Sequence, residues 1–371
     1  MKSNYRYIVK AFMAMAVIAG TTSCDDFLDR EPMSSISPET YYSTAAQLEA
    51  NLNDEYPNVL PSFGQWTYGI FGEDKGTDNQ IEVNANDRYT QDRWKVPHSE
   101  SDNWKFERIY RINFFLSEAL PKFGEDMSGS QNTISGSVAT IKHYIGEMYF
   151  LRAYEYFKKL QLFGDFPIID QPLADEMEAL REASNRFPRN EVARFIISDL
   201  DKAYAYMSDV DMATTRINKD AAMLVKSRVA LFEATWLQNF KGTAFVPGGE
   251  GWPGASLHNN YQYPSGNLDN EVKYFLEQAV EASKLVADKY KGNLTENTGV
   301  LQQSADDPSN PYFDMFAQED LSDVKEVLLW RKYARGLSTH NINAAAGRGN
   351  YRIGLTRGIV QNFLMKDGTP V

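Results

Sequence analysis

The sequence predicts a mainly α protein in which helical hairpins frame an irregular, loop-rich region with few short strands. Three observations predict it. Apolar residues recur at three- and four-residue steps through six separate stretches, the period of a helix that buries one face. Those stretches are separated by long segments rich in Gly, Asn, Asp, Trp and Tyr, at 61–100 and 242–270, that carry no helical period. And 43% of the 371 residues are hydrophobic, enough to build a core, which excludes a disordered chain.

The chain opens on an address. Lys2, Arg6 and Lys10 form a basic start, and residues 11–20 read AFMAMAVIAG with no polar side chain. A spanning helix needs about 20 apolar residues, so this run is too short to cross a membrane and fits the apolar part of a secretory signal. Thr21, Thr22 and Ser23 then lead to Cys24, the single cysteine in the chain. That arrangement resembles a bacterial lipoprotein cleavage box, in which the cysteine thiol takes the lipid and becomes the first residue. Acyl chains contribute about 0.8 kcal/mol per buried CH₂, so several together hold a protein stably on a membrane. Residues 1–23 are therefore expected to be a signal peptide. Their removal takes away three cations and no acid, moving the formal charge from −12 to −15.

Helical elements follow in order. Ser37, Pro38 and Glu39 give an N-cap, a first-turn proline and a first-turn acid, so a helix is expected over 37–55, stopped by Pro57. A second is expected from near Trp104 to Pro121, with Phe106, Ile109, Ile112, Leu116 and Ala119 on one stripe. A third, over 138–162, turns Ile141, Ile145, Met148, Leu151 and Ala153 inward and is broken by Gly164, Asp165, Phe166 and Pro167. A fourth is expected over 191–207, and a fifth after an Asn218 cap. A sixth, over 271–291, exits at Gly292. Small residues facing large ones across consecutive helices suggest hairpins of the tetratricopeptide type. The run KEVLLWRKY, 325–333, is β-prone, and 356–363 reads as a short helix.

Composition excludes several functions. A net charge of −12 without any dense Lys/Arg cluster argues against nucleic acid as a partner. One cysteine and four histidines exclude a disulfide framework and argue against a multi-ligand zinc site. No GxxxxGK[ST] loop, no GxGxxG following a strand and no GxSxG elbow is present. His98, His143, His258 and His340 never fall four residues apart, so HExxH zinc chemistry is absent. A calcium loop over 78–87 would lack its turn glycine and its closing glutamate. No metal or cofactor is expected. Fifty Asp and Glu residues leave a paired-carboxylate glycosidase open, but nothing singles out two of them.

CDDFLDREP from Cys24, WKFERIYRINFFL from Trp104 and GEMYFLRAYEYFKKLQLFGDFPIID over 146–170 together resemble segments of the SusD/RagB family of Bacteroidetes outer-membrane lipoproteins. CDDFLDREP, from Cys24, is similar to the family's mature start, and WKFERIYRINFFL, from Trp104, to its first diagnostic helix, with Arg111 and Asn113. The strongest match is GEMYFLRAYEYFKKLQLFGDFPIID, 146–170, carrying Glu147, Arg152, Gly164, Asp165 and Pro167. FPRNEVARFIISDLDKAY and INKDAAMLVKSRVALFEATW resemble the next helix pair. MKDGTPV resembles a segment that lies inside the chain in other members, which implies a chain short of the family's length at Val371.

The resemblance implies a SusD-like domain over 24–371, its N-terminal part about 24–236 and the start of its C-terminal part about 271–371. It implies a protein held on the outer membrane through Cys24, exposed at the cell surface, that captures oligosaccharides or other nutrients. Such a protein closes as a lid over a SusC-like TonB-dependent transporter and catalyses nothing. By family analogy the glycan surface lies in loops between the first two helices, at Asp78, Arg88, Tyr89 and Trp94. It continues in loops after KEVLLW, at Asn341 and Tyr351. Residues 252–263, with His258 and Asn260, form a rival aromatic loop. Helical aromatics such as Phe106, Tyr149, Phe150, Phe157, Phe195, Phe232 and Trp236 are expected to be packing. Two alternatives stand beside this reading. A lid for a peptide would favour charged contacts over aromatic ones, and an α-helical glycoside hydrolase would need two facing carboxylates.

Overall fold

The structure is a computed structural model. It describes residues 41–61, 74, 76–82, 103–124, 126–207, 212–301, 304, 306–334, 336, 339–340, 353–365 and 367–370. The chain divides into two units, Met1–Tyr42 and Ser43–Val371. The first is described only at Tyr41 and Tyr42, whose rings meet edge to face at 5.0 Å. The second holds everything that follows.

Among its described residues are nine α-helices, one 3-10 turn and two strands. Helix α1, Ala45–Val59, begins at a capping box. The Gln47 N–H donates to Thr44 Oγ1 at 3.3 Å, and the Thr44 N–H donates to Gln47 Oε1 at 3.0 Å. The start expected at Ser37 lies outside the described residues. Pro57 does not stop the helix, contrary to expectation. A proline costs one backbone bond, and in the last turn that loss is small beside the burial of Leu48, Leu52, Glu55 and Val59 along one stripe. Helix α2, Glu107–Phe123, repeats the correction: it runs through Pro121 because Phe123 is fully buried beyond it. Trp104 stands before α2 and packs edge to face against Phe163 and Phe166, each at 4.8 Å.

Helix α3, Val138–Phe163, is the axis of the fold. It is buried nearly all round, and α1, α2 and helix α5, Arg189–Tyr206, pack against it. Between α3 and α5 in the chain lies a short helix, α4, Met177–Ala183, which the sequence did not announce. Helix α6, Lys219–Asn239, packs on α5, and helix α7, Leu268–Tyr290, on α6. The Asn218 cap is present, its Oδ1 accepting from the Ala221 N–H at 3.0 Å, and Asn267 caps α7 in the same way. From α3 onward each long helix packs mainly on the next, α3 with α5, α5 with α6 and α6 with α7, the quasi-linear packing of a helical-repeat frame, while α1 and α2 both pack on α3. Two one-turn helices, α8 (Pro311–Met315) and α9 (Arg357–Gln361), complete the set.

Buried arginine–carboxylate pairs pin these layers. Arg152 of α3 meets Asp199 of α5 through two bonds, at 2.6 and 2.8 Å, and gives a third to Asn113 Oδ1 of α2 at 3.0 Å. Arg189 of α5 grips Glu233 of α6, and Arg194 of α5 grips Glu271 of α7. Burial pushes the Glu233 carboxyl above its usual range against the pull of Arg189. Burial also acts upward on Glu271, but bonds from Arg194, Asn190 and Ser265 outweigh it and hold that carboxyl below the usual range. Gly164 ends α3 at φ 67°, a left-handed conformation that suits glycine, and turns the chain so that Asp165 can accept from the Arg189 N–H at 2.9 Å.

The two strands are β1, Gln80–Glu82, and β2, Ile353–Leu355. They pair antiparallel, Gln80 opposite Leu355 and Glu82 opposite Ile353. The run 325–333 forms no strand. Its backbone is satisfied by the turn before α6 rather than by a sheet: the Trp330 N–H donates to the Thr214 carbonyl at 3.1 Å, and Asn218 Nδ2 donates to the Leu328 carbonyl at 2.6 Å. High β propensity needs a partner edge, and here a cap and a turn supply the bonds instead.

Candidate ligand cleft

A cleft of about 910 Å³ opens where the end of α1, the middle of α3, the first turns of α6 and the run 326–332 converge. Tyr56, Tyr154, Arg216, Leu224, Arg228 and Trp330 contribute to its walls. The volume is that of a site for a small organic ligand.

Its floor is organised by Glu147, a fully buried residue of α3. The Tyr56 hydroxyl donates to Glu147 Oε2 at 2.7 Å and accepts from the Ile217 N–H at 2.9 Å. Arg216 donates to both carboxylate oxygens, at 2.9 and 2.7 Å. His143 Nε2 lies 3.0 Å from the Ile217 carbonyl and 3.1 Å from Glu147 Oε1, so this histidine is packing rather than a ligand. Burial, reinforced by Glu147, raises the Tyr56 phenol well above its ordinary value and keeps it a neutral donor. Burial acts against the charge on Arg216, but Glu147 outweighs it and holds the guanidinium protonated. Thus a motif residue with no access to solvent sets the direction of two side chains that have it.

The wall built by 326–332 carries Trp330, half-buried, with its indole N–H fixed on Thr214 Oγ1 at 2.8 Å. Aromatic and aliphatic walls with the Arg216 and Arg228 guanidinium groups set among them suit a ligand with apolar faces and polar edges. Among the described lining residues Glu326 is the one carboxylate, and it accepts from the Thr295 N–H at 2.9 Å. The cleft therefore presents no facing pair of acids for glycoside hydrolysis among those residues.

Of the residues expected from the sequence, Asp78 is described. It is exposed in the turn before β1, its carbonyl accepts from the Thr356 hydroxyl, and it does not line the cleft. Cys24, Arg88, Tyr89, Trp94, Asn341 and Tyr351 lie outside the described residues. The β1–β2 pair does join the two stretches expected to share a ligand surface, the one after α1 and the one after 325–333. In the rival loop over 252–263, Trp252 is packing, its indole donating to Asp165 Oδ2 at 2.7 Å with 4% of the residue exposed, whereas His258 is half-buried beside the Arg186 carbonyl and Asn260 is exposed. Tyr56, Arg216, Arg228 and Trp330 are not expected from the sequence. The available signal is the placement of Arg216 just before a helix cap and of Trp330 in an apolar run.

Residues 26–231 match a SusD-like family model, described as starch-binding and associating with the outer membrane. SusD-like protein P2 of Formosa agariphila is 25% identical over 253 residues, which cover 65% of this chain and 46% of that protein. SusD-like protein P25 of the same organism is 25% identical over 233 residues, 58% of this chain and 41% of that one. The chain spans about half the length of these curated relatives. A crystal structure of a SusD-like protein from Bacteroides fragilis aligns with a TM-score of 0.56 at 19% identity, covering 92% of this chain and 57% of that one. A SusD-like carbohydrate-binding protein from the same species aligns at 0.54 and 14% identity, covering 90% and 55%. These two share the fold.

Proposed function

The chain belongs to the SusD-like family, whose members associate with the outer membrane, and on that premise we propose that it captures oligosaccharides at the cell surface for a SusC-like transporter that it covers as a lid. The observation that carries the binding reading is the cleft, where Trp330 and Tyr154 stand beside the Tyr56–Glu147–Arg216 floor on a rigid helical frame. Asp78, Arg88, Tyr89, Trp94, Asn341 and Tyr351 form the rest of the ligand surface in this reading. The protein binds and releases its glycan unchanged. That is supported by four buried acids, each matched to an arginine: Glu147 to Arg216, Asp199 to Arg152, Glu233 to Arg189, Glu271 to Arg194.

Trp330→Ala tests the cleft. Aromatic stacking on nucleic-acid bases contributes about 1–3 kcal/mol per ring, and by analogy a sugar face should lose about tenfold in affinity, near 1.4 kcal/mol. Titration calorimetry with a panel of oligosaccharides measures it. Unchanged affinity for a bound sugar would remove the cleft from the site.

Attachment rests on Cys24 in this reading. No helix among the described residues is long and apolar enough to cross a membrane, so none of them supplies an anchor of that kind. Cys24→Ala is expected to abolish incorporation of labelled palmitate and to release the protein from the outer-membrane fraction. Labelling that survives the substitution would sink the anchor.

A further inference from the structure

The cleft inverts the charge of the chain. Fifty acids against thirty-eight bases give the whole sequence a formal charge of −12, yet the cleft lining carries Arg216, Arg228, Arg331 and Lys332 against the single acid Glu326. Two of these cations are already engaged, Arg216 by Glu147 and Lys332 by Asp320 at 2.7 Å. The other two are not. Arg228 is exposed on α6 and Arg331 is exposed on the opposite chain segment, and neither forms an ion pair or hydrogen bond with another described residue. Arg331 does lie 5.8 Å from the Tyr333 ring centre.

From this we infer that the ligand is an acidic oligosaccharide, one that carries carboxylate or sulfate ester groups along a chain of sugar rings. The inference rests on the cleft being the glycan site. A guanidinium presents a planar fork of N–H donors that matches the two oxygens of a carboxylate or sulfate, and such bonds are stronger than those to a neutral hydroxyl. Walls of low polarity focus the field of cations set in them, which raises the local concentration of anions and repels other cations. A neutral glucan would meet these arginines with hydroxyls alone. An acidic one would pair its charges with Arg228 and Arg331 while its rings lie on Trp330 and Tyr154.

The test uses the full chain and three probes of equal length: an oligogalacturonate, a sulfated galactan oligosaccharide and a neutral gluco-oligosaccharide. Calorimetric titration at low and high salt is run on the wild type and on Arg228→Gln, Arg228→Lys and Trp330→Ala. One charge-assisted contact corresponds to about tenfold in affinity. At least one acidic probe should therefore bind about tenfold more tightly than the neutral one at low salt, with the gap narrowing as salt rises. Arg228→Gln should erase most of that gap by weakening acidic binding far more than neutral binding, and Arg228→Lys should retain part of it. The two acidic probes separate carboxylate from sulfate recognition. Equal affinity for all three probes, with Trp330→Ala weakening each, would overturn the acidic ligand and leave the cleft standing as a glycan site. Binding of every probe that ignores both Trp330→Ala and Arg228→Gln, or no binding at all, would overturn both readings.

Discussion

Asp199→Ala is expected to destabilise the protein by about 3–5 kcal/mol, a large share of the stability of an ordinary domain. Asp199 has no exposed surface and Arg152 has 3%. Removing the acid leaves the guanidinium uncompensated in the core, where only Asn113 Oδ1 and the Asp170 carbonyl remain to receive its N–H groups. The damage spreads because this one arginine ties α2, α3, α5 and the segment after α3 together. The same segment is held by Asn113 Nδ2 on the Ile169 carbonyl at 2.8 Å, and by Tyr156, whose hydroxyl bonds both the carbonyl and the N–H of Ile169. Urea unfolding of the single variant measures the loss. A cost below about 1 kcal/mol, the scale of an exposed ion pair, would mean that water reaches the site.

Gly146→Ala is expected to lower stability by about 1–3 kcal/mol, although alanine is the better helix former by about 1 kcal/mol. The sign is decided by what a methyl group would meet. A Cβ on Gly146 would stand 2.7 Å from Met207 Cγ, 2.8 Å from the Met207 nitrogen and 2.9 Å from the Ala203 carbonyl oxygen. Two of those atoms are backbone, so α5 must shift bodily away from α3. Gly146→Val should cost more. Thermal melts of the two variants check the order, and a melting temperature raised by alanine would show that the helices separate freely. Glu147 is the next residue, so the same displacement moves the floor of the cleft.

Much of the helical frame is legible in the sequence because it is local. Ser137 caps α3, Gly164 ends it, and the apolar period between them needs no knowledge of the rest. Departures arise where a distant partner decides. Pro57 and Pro121 read as stops, but buried Val59 and Phe123 lie beyond them. The run 325–333 reads as a strand, yet its hydrogen bonds go to Thr214 and Asn218, more than a hundred residues earlier in the chain. The cleft is invisible for the same reason: Tyr56, Arg216, Arg228 and Trp330 come from separate parts of the chain, and no spacing rule links them. Glu147 and Arg152 are visible only through family resemblance, which marks them without saying whether they bind or build. Burial and partners answer that they build.

The β1–β2 pair also has a consequence in time. From α3 onward the long helices meet neighbours close in sequence, whereas Thr356 meets Asp78 across 278 positions. Contacts of such separation form slowly, since the chain must close a long loop before they return any energy. The helical frame should thus assemble first and the two strands zip together at the end. By the same reasoning they are the first to separate, at a free energy well below that of global unfolding. Amide hydrogen exchange reads this directly: Ile81 and Leu355 should exchange far sooner than Ile145 in α3, and equal protection would mean that frame and strands open as one unit. Under the proposed function, a surface assembled last, and loosened without disturbing its scaffold, would let a bound glycan leave at little cost to the protein.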